Sequence, residues 1–225
     1  MSPLVFMGGT FDPVHNGHLR TALELQQWLG VEQVCLIPSG EPVHRDRPGC
    51  TARERLEMVQ LAVADEPALC ADAREVEADE PSYSLLTLQS LRQERGSDCP
   101  IVMTMGMDAF QTLECWHRWQ AFLDYAHILV IARPGYADSD LSPVLQALLQ
   151  QHRSYDHRAL LGSPSGRIHI QELTPLGISA TQIRQLIASE QSPRYLLPEP
   201  VWHYISQHEL YGFHSKEKVQ SANAN

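Results

Sequence analysis

The sequence has little positive charge for its size. Its 17 lysines and arginines are outnumbered by 27 aspartates and glutamates, which gives a formal net charge of -10 at pH 7. Binding to DNA or RNA depends on basic surface and on the release of counterions, so this balance argues against a nucleic-acid partner. A small phosphorylated ligand remains compatible, because a single pocket needs positive charge only locally.

Long hydrophobic runs are also absent from the sequence. Beyond the first nine residues, the longest apolar stretch is residues 126–132, which is far shorter than a segment that could cross a bilayer. Residues 1–9 lack the basic start and the long apolar core of a signal peptide. We therefore expect no export, no membrane contact and a cytoplasmic location.

The cysteines form an odd set without any C-x-x-C pair. They are Cys35, Cys50, Cys70, Cys99 and Cys115. This pattern argues against a disulfide framework and against a zinc ribbon, and it suits a reducing compartment.

Prolines and glycines are spread along the chain and do not form a linker. With 225 residues, of which 43% are hydrophobic and 20% charged, the chain has the size and composition of one globular domain. We expect this domain to cover residues 1–214. Residues 215–225 are polar and without periodicity, which predicts a disordered tail. Oligomeric state stays open, with a homo-oligomer as one alternative.

Short apolar runs with β character alternate with helical patterns along most of the chain. The runs are Leu4 to Met7, Val34 to Ile37, Ile101 to Met105, His127 to Ile131 and Ile168 to Ile170. Such alternation predicts an α/β fold with a parallel sheet. Two capping boxes, Thr51 to Glu54 and Ser179 to Gln182, predict helix starts, because the side chains at both ends of a box bond free backbone amides.

The first strand leads directly into a glycine-rich turn that contains two histidines. The string from Gly8 to His18 reads G-G-T-F-D-P-V-H-N-G-H, and a helical pattern begins at once after it. Glycines let the backbone approach a ligand, and a helix start favours an anion. His15 and His18 are three residues apart, a spacing that places both imidazoles on one side of a helix. The turn therefore predicts a phosphate site, whereas the alternatives are a plain turn with surface histidines or half of a metal site.

This string resembles the signature of the nucleotidylyltransferase superfamily. Later segments look like one branch of it, the bacterial nicotinate mononucleotide adenylyltransferases. The matching segments are Ile37 to Gly40, Pro42 to Arg45, Pro81 to Thr87, Gly106 to Asp108, Trp116, Ala132 to Gly135, Ile178 to Arg184, Tyr195 to Pro198, Tyr204 to Ile205 and Leu210 to Tyr211. The resemblance implies a Rossmann-like doubly wound parallel sheet with a small C-terminal helical part.

The same resemblance implies an ATP site and a set of catalytic residues. The implied ATP-binding residues are Gly8, Gly9, Thr10, Phe11, His15, His18, Gly106, Asp108, Ser179, Thr181 and Arg184. Among them, His15, His18 and Arg184 are expected to contact the phosphates and to be catalytic. A helix start capped by Ser179 suits an anion, although a plain capping box explains that serine equally well.

A pocket for nicotinate mononucleotide is implied as well. Trp116 is expected to stack on the pyridine ring, Arg45 and Arg133 to lie near the phosphate, and Thr87 to lie near the carboxylate. Without the resemblance, a tryptophan is more often core or surface filling, and single arginines are often solvated. The family commonly has an aromatic hydroxyl after the tryptophan, whereas this chain has His117, which leaves a backbone contact as the alternative there.

The reaction implied is attack by the 5'-phosphate of nicotinate mononucleotide on the α-phosphorus of ATP, with loss of pyrophosphate. A phosphate monoester has a second pKa of about 6, so the nucleophile is already ionised and a general base adds little. His15, His18, Arg184 and a magnesium ion (Mg2+) held mainly by the ATP phosphates are expected to supply positive charge, and no protein metal ligand is predicted.

Two other functions remain open from the sequence. The first is adenylyl or cytidylyl transfer to another acceptor, such as nicotinamide mononucleotide or phosphopantetheine, because the glycine-rich string alone belongs to the whole superfamily. The second is a nucleotide-binding regulator without turnover. Release of pyrophosphate in the presence of ATP and each acceptor distinguishes these functions.

Overall fold

A parallel sheet forms the centre of the molecule. The computed structural model describes residues 2–40, 49–78, 82–132, 135, 137–174 and 176–214. Within these residues the strands are β1 (Leu4–Gly9), β2 (Val34–Pro38), β3 (Leu69–Ala71), β4 (Ile101–Gly106), β5 (His127–Ala132) and β6 (Ile168–Glu172). All neighbours pair in parallel, in the order β3-β2-β1-β4-β5-β6.

The strand order reverses between β1 and β4. The chain runs outward from β1 to β2 and β3, returns to the centre at β4 and then continues outward on the other side. In an open parallel sheet, ligands bind beyond the carboxyl ends of the strands at such a reversal. Gly8 and Gly9 end β1 and Gly106 ends β4, so the glycine-rich turn lies at this position.

Helices cover both faces of the sheet. They are α1 (Asn16–Leu29), α2 (Ala52–Val63), α3 (Arg74–Glu77), α4 (Ser84–Arg95), α5 (Met107–Gln111), α6 (Phe122–Tyr125), α7 (Pro143–His152), α8 (Ala180–Ala188) and α9 (Glu199–Gln207). Residues of α1, α2, α8 and α9 pack on one face, and residues of α4, α5, α6 and α7 pack on the other. Among the described residues, no helix is both long and apolar enough to cross a membrane.

The predicted strands and helix starts are confirmed. Each predicted strand lies within an observed one, and Thr51 Oγ1 accepts the Glu54 amide at 3.2 Å while a Glu54 carboxylate oxygen accepts the Thr51 amide at 2.8 Å. Ser179 caps α8 by accepting the Gln182 amide at 3.2 Å. The strand β3 was not predicted, because its three residues are too few to show a pattern. The expected tail, residues 215–225, lies outside the described residues.

The expectation that the cysteines form no disulfide is wrong for one pair. Cys35 on β2 and Cys70 on β3 are direct neighbours across the two parallel strands and are joined by a disulfide, with their Cα atoms 4.5 Å apart. Cysteine spacing along a chain does not reveal strand register, so the sequence contained no signal for this pairing. Cys50, Cys99 and Cys115 carry free thiols.

One fully buried arginine joins α2 to the loops that follow β1 and β2. Arg55 has no exposed surface, and its Nη1 donates to the Thr10 carbonyl at 2.7 Å while Nη2 donates to the Gly40 carbonyl at 3.0 Å. The Ser39 hydroxyl lies 3.3 Å from the same Nη1. A single guanidinium therefore bridges the loops that follow β1 and β2, in addition to the backbone pairing of these strands.

We expect Arg55→Met to lower the free energy of unfolding by about 3 kcal/mol, because it leaves buried carbonyls without donors. The matched control is Arg53→Met on the same helix, where the side chain is 86% exposed and pairs with Glu57. That change should cost less than about 0.5 kcal/mol. Urea unfolding of the three proteins measures both values, and equal losses would contradict a specific role for Arg55.

Candidate active site

The glycines that end β1 and β4 differ in their structural roles. A Cβ atom on Gly8 or Gly106 would meet nothing within 4 Å, so the space above both strand ends is open. A Cβ atom on Gly9 would come within 3.0 Å of the ring of Phe11. Phe11 is itself buried and has a φ of 50°, a left-handed conformation that is uncommon for a side-chain-bearing residue. Gly9 is thus required by the packing of the turn, whereas Gly8 and Gly106 leave room for a ligand.

His15 and His18 form a stacked pair at the start of α1. Their ring centroids lie 3.7 Å apart with an interplanar angle of 19°, and Phe11 contacts His18 edge-on at 5.0 Å. The backbone N–H of His15 donates to Nδ1 of His18 at 3.3 Å. Because Nδ1 accepts this bond, a neutral His18 carries its proton on Nε2. His18 therefore presents one fixed N–H donor.

Both imidazoles are neutral near pH 7 in the free protein. Burial lowers the pKa of His15 to about 4, and burial together with the neighbouring His15 lowers the pKa of His18 to about 3. The expectation that both histidines contribute positive charge concerns the ATP-bound site and stays a prediction. In the ligand-free molecule desolvation penalises the charged form of each buried imidazole, an effect that cannot be read from residue spacing. The pair can supply a hydrogen bond without a net charge.

Some backbone amides at the start of α1 already donate hydrogen bonds to carbonyls within the protein. The Asn16 amide donates to the Leu196 carbonyl at 2.9 Å, and the His18 amide donates to the His15 carbonyl at 2.9 Å. The Asn16 side chain also donates to the Tyr195 carbonyl at 2.9 Å. Fewer free backbone amides therefore remain here than at a bare helix N-terminus.

The start of α8 brings a second group of predicted residues to the glycine-rich turn. Arg184 donates from Nη1 to the backbone carbonyl of Asp12 at 2.6 Å, and its Nη2 lies 3.4 Å from the Thr181 hydroxyl. Its side chain is 34% exposed. Ser179 and Thr181 are exposed at the same end of the helix. A guanidinium thus lies against the glycine-rich turn that also carries the histidine pair.

A cavity opens beside the strand ends and reaches Trp116. Gly8, Gly9, Thr10 and Gly106 line it on the side of the sheet, and Trp116 and His117 line it on the other side. The half-buried Trp116 ring contacts Phe122 edge-on at 6.2 Å. The exposed His117 ring lies 4.6 Å from the ring of Tyr83, which also lines the cavity. The structure thus brings together the glycines of the predicted ATP site and the predicted pyridine platform.

Thr87 lies beside this cavity and is bonded to Glu75. The Thr87 hydroxyl donates to a Glu75 carboxylate oxygen at 2.6 Å, and the Ser82 hydroxyl donates to the other oxygen. Glu75 and Ser82 line the cavity, whereas Thr87 lines a neighbouring one that shares both residues. Burial raises the pKa of Glu75. Sequence reasoning missed Glu75, because one glutamate in a charged segment has no distinguishing pattern.

The predicted site residues not yet placed are Asp108, Arg45 and Arg133. Asp108 lies exposed in the first turn of α5, next to Gly106. Arg45 and Arg133 fall outside the described residues, so their predicted contacts stay predictions. Among the residues that the structure describes, no cluster of three or more His, Cys, Asp or Glu could hold a metal ion.

Comparison with known proteins identifies close relatives. Residues 6–186 match the model of the cytidylyltransferase-like family. The chain is 46% identical over 211 residues to a protein of Marinomonas sp. (strain MWYL1) named "Probable nicotinate-nucleotide adenylyltransferase", covering 94% of this chain and 95% of the relative. A protein of the same name from Pseudomonas putida (strain W619) is 48% identical, covering 91% of this chain and 93% of the relative.

A solved structure shares the fold at low sequence identity. The nicotinic acid mononucleotide adenylyltransferase of Plasmodium falciparum, complexed with NaAD, superposes with a TM-score of 0.69 at 13% identity. The match covers 95% of this chain and 99% of that one. The similarity supports the doubly wound sheet over nearly the whole length.

The lowered histidine pKa values predict how stability changes with pH. Unfolding returns His15 and His18 from about 4 and about 3 to the ordinary value of 6.5, so the unfolded chain binds more protons between these limits. The free energy of unfolding should therefore fall as the pH falls from 6.5 toward 4. We expect a shallower fall for His18→Asn, whose amide oxygen can accept the His15 N–H but does not titrate.

Urea unfolding at both ends of this pH range measures the slope for the wild type and for His18→Asn. The matched control is His203→Asn on the exposed side of α9, which should keep the wild-type slope. Identical slopes for all three proteins would show that the His18 pKa is not depressed by folding.

Proposed function

Since this chain belongs to the nicotinate-nucleotide adenylyltransferase family, we propose that it transfers the adenylyl group of ATP to nicotinate mononucleotide. The products are nicotinate adenine dinucleotide, a precursor in NAD biosynthesis, and pyrophosphate. The observation that carries the proposal is the cavity that runs from the glycines at the ends of β1 and β4 to Trp116. The glycine-rich turn on its border also carries His18 and is contacted by Arg184.

The chemistry is a single displacement at phosphorus. An oxygen of the mononucleotide 5'-phosphate forms a bond to the α-phosphorus of ATP, and the bond from that phosphorus to the bridging oxygen of pyrophosphate breaks. The attacking phosphate is mostly ionised at neutral pH, so no side chain has to remove a proton. The protein contributes by bringing two anions together and by stabilising charge on the phosphoryl oxygens.

His18 and Arg184 have different parts in this scheme. The Nε2–H of His18 is fixed by the bond at Nδ1 and donates to a phosphoryl oxygen without carrying charge. Arg184 supplies the positive charge, and its planar guanidinium matches the geometry of phosphate oxygens. His15 acts behind them, because it is buried, stacks on His18 and provides the N–H that sets the proton position.

A magnesium ion bound to the ATP phosphates supplies further neutralisation of charge when it is present. Mg2+ keeps several waters and often uses one or two carboxylates, so it can enter with the triphosphate. The carboxylate nearest to Arg184, Asp12, already accepts bonds from Gly49 and Tyr211. We therefore assign the ion to phosphate oxygens and water rather than to a protein cage.

The acceptor side of the proposal is tested by a coupled pyrophosphate assay. Purified protein is supplied with ATP, Mg2+ and one of three acceptors: nicotinate mononucleotide, nicotinamide mononucleotide or phosphopantetheine. We expect the highest kcat/KM with nicotinate mononucleotide. A higher value with either other acceptor would replace the proposed substrate, and release with none of them would favour a nucleotide-binding regulator.

We expect His18→Asn to lower kcat by about 100-fold or more with the fold intact. Asparagine retains an acceptor for the His15 N–H, while nothing replaces the Nε2–H donor. His18→Gln places an amide N–H near the position of Nε2 and should recover part of the loss. Steady-state kinetics on both variants, with circular dichroism as the check on folding, measure this, and a near wild-type kcat for His18→Asn would refute the assigned donor.

We expect Trp116→Ala to raise the KM for nicotinate mononucleotide by about tenfold or more, because stacking on an aromatic ring contributes about 1–3 kcal/mol. The KM for ATP should change little. Trp119→Ala is the matched control, since Trp119 packs against the core beside the same segment. Similar changes in both variants, or an equal change in both KM values, would argue against a pyridine platform at Trp116.

A further inference from the structure

The carboxylate of Asp12 connects three distant parts of the chain. It lies in the glycine-rich turn and is 7% exposed. One oxygen accepts the hydroxyl of Tyr211 at 2.8 Å, and the other accepts the amide of Gly49 at 2.9 Å. The second oxygen also lies 3.6 Å from Nη1 of Arg184. Both oxygens of a nearly buried carboxylate are thus engaged by neutral donors, with a cation just beyond hydrogen-bond distance.

Arg184 is bonded to the backbone carbonyl of Asp12 rather than to the charged carboxylate of that residue. Its Nη1 donates to the Asp12 carbonyl at 2.6 Å, a shorter distance than the 3.6 Å to the carboxylate. A carboxylate that is free to turn pairs with a guanidinium through two parallel bonds, and such a pair neutralises the arginine. The neutral donors on Asp12 oppose this rotation, so the guanidinium keeps its charge available.

Tyr211 reaches Asp12 from a tight turn after α9. The 3-10 turn Leu210–Gly212 has Tyr211 at a φ of 58°, and Glu209 just before it has a φ of 53°. Left-handed residues with side chains are uncommon and persist where surrounding contacts hold them. Burial raises the pKa of Tyr211, so its phenol stays protonated and donates to Asp12.

The ring of Tyr211 is held by close packing on Gly49. A Cβ atom on Gly49 would come within 3.0 Å of the ring and within 3.7 Å of the Arg184 side chain. The buried Cys50 thiol also lies close to the Tyr211 hydroxyl. The phenol is therefore fixed in position before any substrate arrives.

We propose that Tyr211 is a positioning residue that orients the Asp12 carboxylate and thereby keeps the Arg184 guanidinium available for the triphosphate. The inference rests on the proposed function, because it assigns Arg184 to the phosphates of ATP. Loss of the phenol O–H leaves one carboxylate oxygen without a donor, and Arg184 is the cation beside it. The carboxylate then turns toward Arg184, and the site loses positive charge where the phosphates bind.

The test is a double-mutant cycle between Tyr211→Phe and Arg184→Ala. We expect Tyr211→Phe to lower kcat/KM for ATP by about tenfold, the scale of one charge-assisted hydrogen bond, with the KM for nicotinate mononucleotide unchanged. In the Arg184→Ala background the same change should have less than about a twofold effect. Equal effects in both backgrounds would overturn the proposal.

The matched control is Tyr195→Phe. Tyr195 is 91% exposed, and its backbone carbonyl accepts a bond from the Asn16 side chain. Gly49→Ala provides a second perturbation, since the new methyl group displaces the Tyr211 ring without removing its hydroxyl. It should reproduce the loss in weaker form and also lose its effect in the Arg184→Ala background, and a loss that persists there contradicts the proposal.

Binding of pyrophosphate, measured by calorimetry, separates this inference from the proposed function. It requires no turnover and no mononucleotide acceptor, and we expect about tenfold weaker binding to Tyr211→Phe than to the wild type or Tyr195→Phe. Failure of the wild type to turn over any acceptor would overturn the proposed function while this arm still tests Tyr211. Unchanged pyrophosphate affinity, at a thermal midpoint close to that of the wild type, would overturn the role of Tyr211.

Discussion

The reversal of strand order between β1 and β4 is the constraint on which the site depends. It leaves the carboxyl ends of two adjacent central strands without a connection crossing above them, so the glycines at those ends face open space. The glycine-rich turn that follows β1 carries His15 and His18 at the start of α1, and α8 brings Arg184 to the same turn. The buried guanidinium of Arg55 bridges the loops that follow β1 and β2.

The electrostatics of the site fit an acidic protein that binds anions. The chain has a net charge of -10, so binding a triphosphate requires local compensation rather than a basic surface. In the proposed site, Arg184 supplies the positive charge, and the histidine pair, which is neutral in the free protein, supplies hydrogen-bond donors. A neutral donor avoids the large cost of burying two adjacent imidazolium ions, whereas the guanidinium at the partly exposed edge retains water.

The sheet and the glycine-rich turn could be predicted from local sequence patterns. The features that could not be predicted depend on contacts between residues far apart in the sequence. Strand runs, the capping box at Thr51 and the Gly8–His18 string are signals contained within a few neighbouring residues. The disulfide between Cys35 and Cys70 depends on strand register, and the bond between Asp12 and Tyr211 joins residues 199 positions apart. The protonation state of the histidine pair was also hidden, because it depends on burial. None of these features is visible in local sequence patterns, because each depends on contacts that form only in the folded protein.

The segment that follows α9 contacts the glycine-rich turn, and this contact links the C-terminal helices to the candidate site. α9 packs on the same face as α1 and α2, and the turn that follows it places a phenol on the carboxylate beside Arg184. The Tyr195 and Leu196 carbonyls, which precede α9, accept bonds from Asn16 at the start of α1. The same C-terminal segment therefore contacts the glycine-rich turn at both Asp12 and Asn16. Because a displacement of about 1 Å can cost a large factor in rate, we expect these contacts to support the proposed catalysis through position rather than through direct contact with substrate.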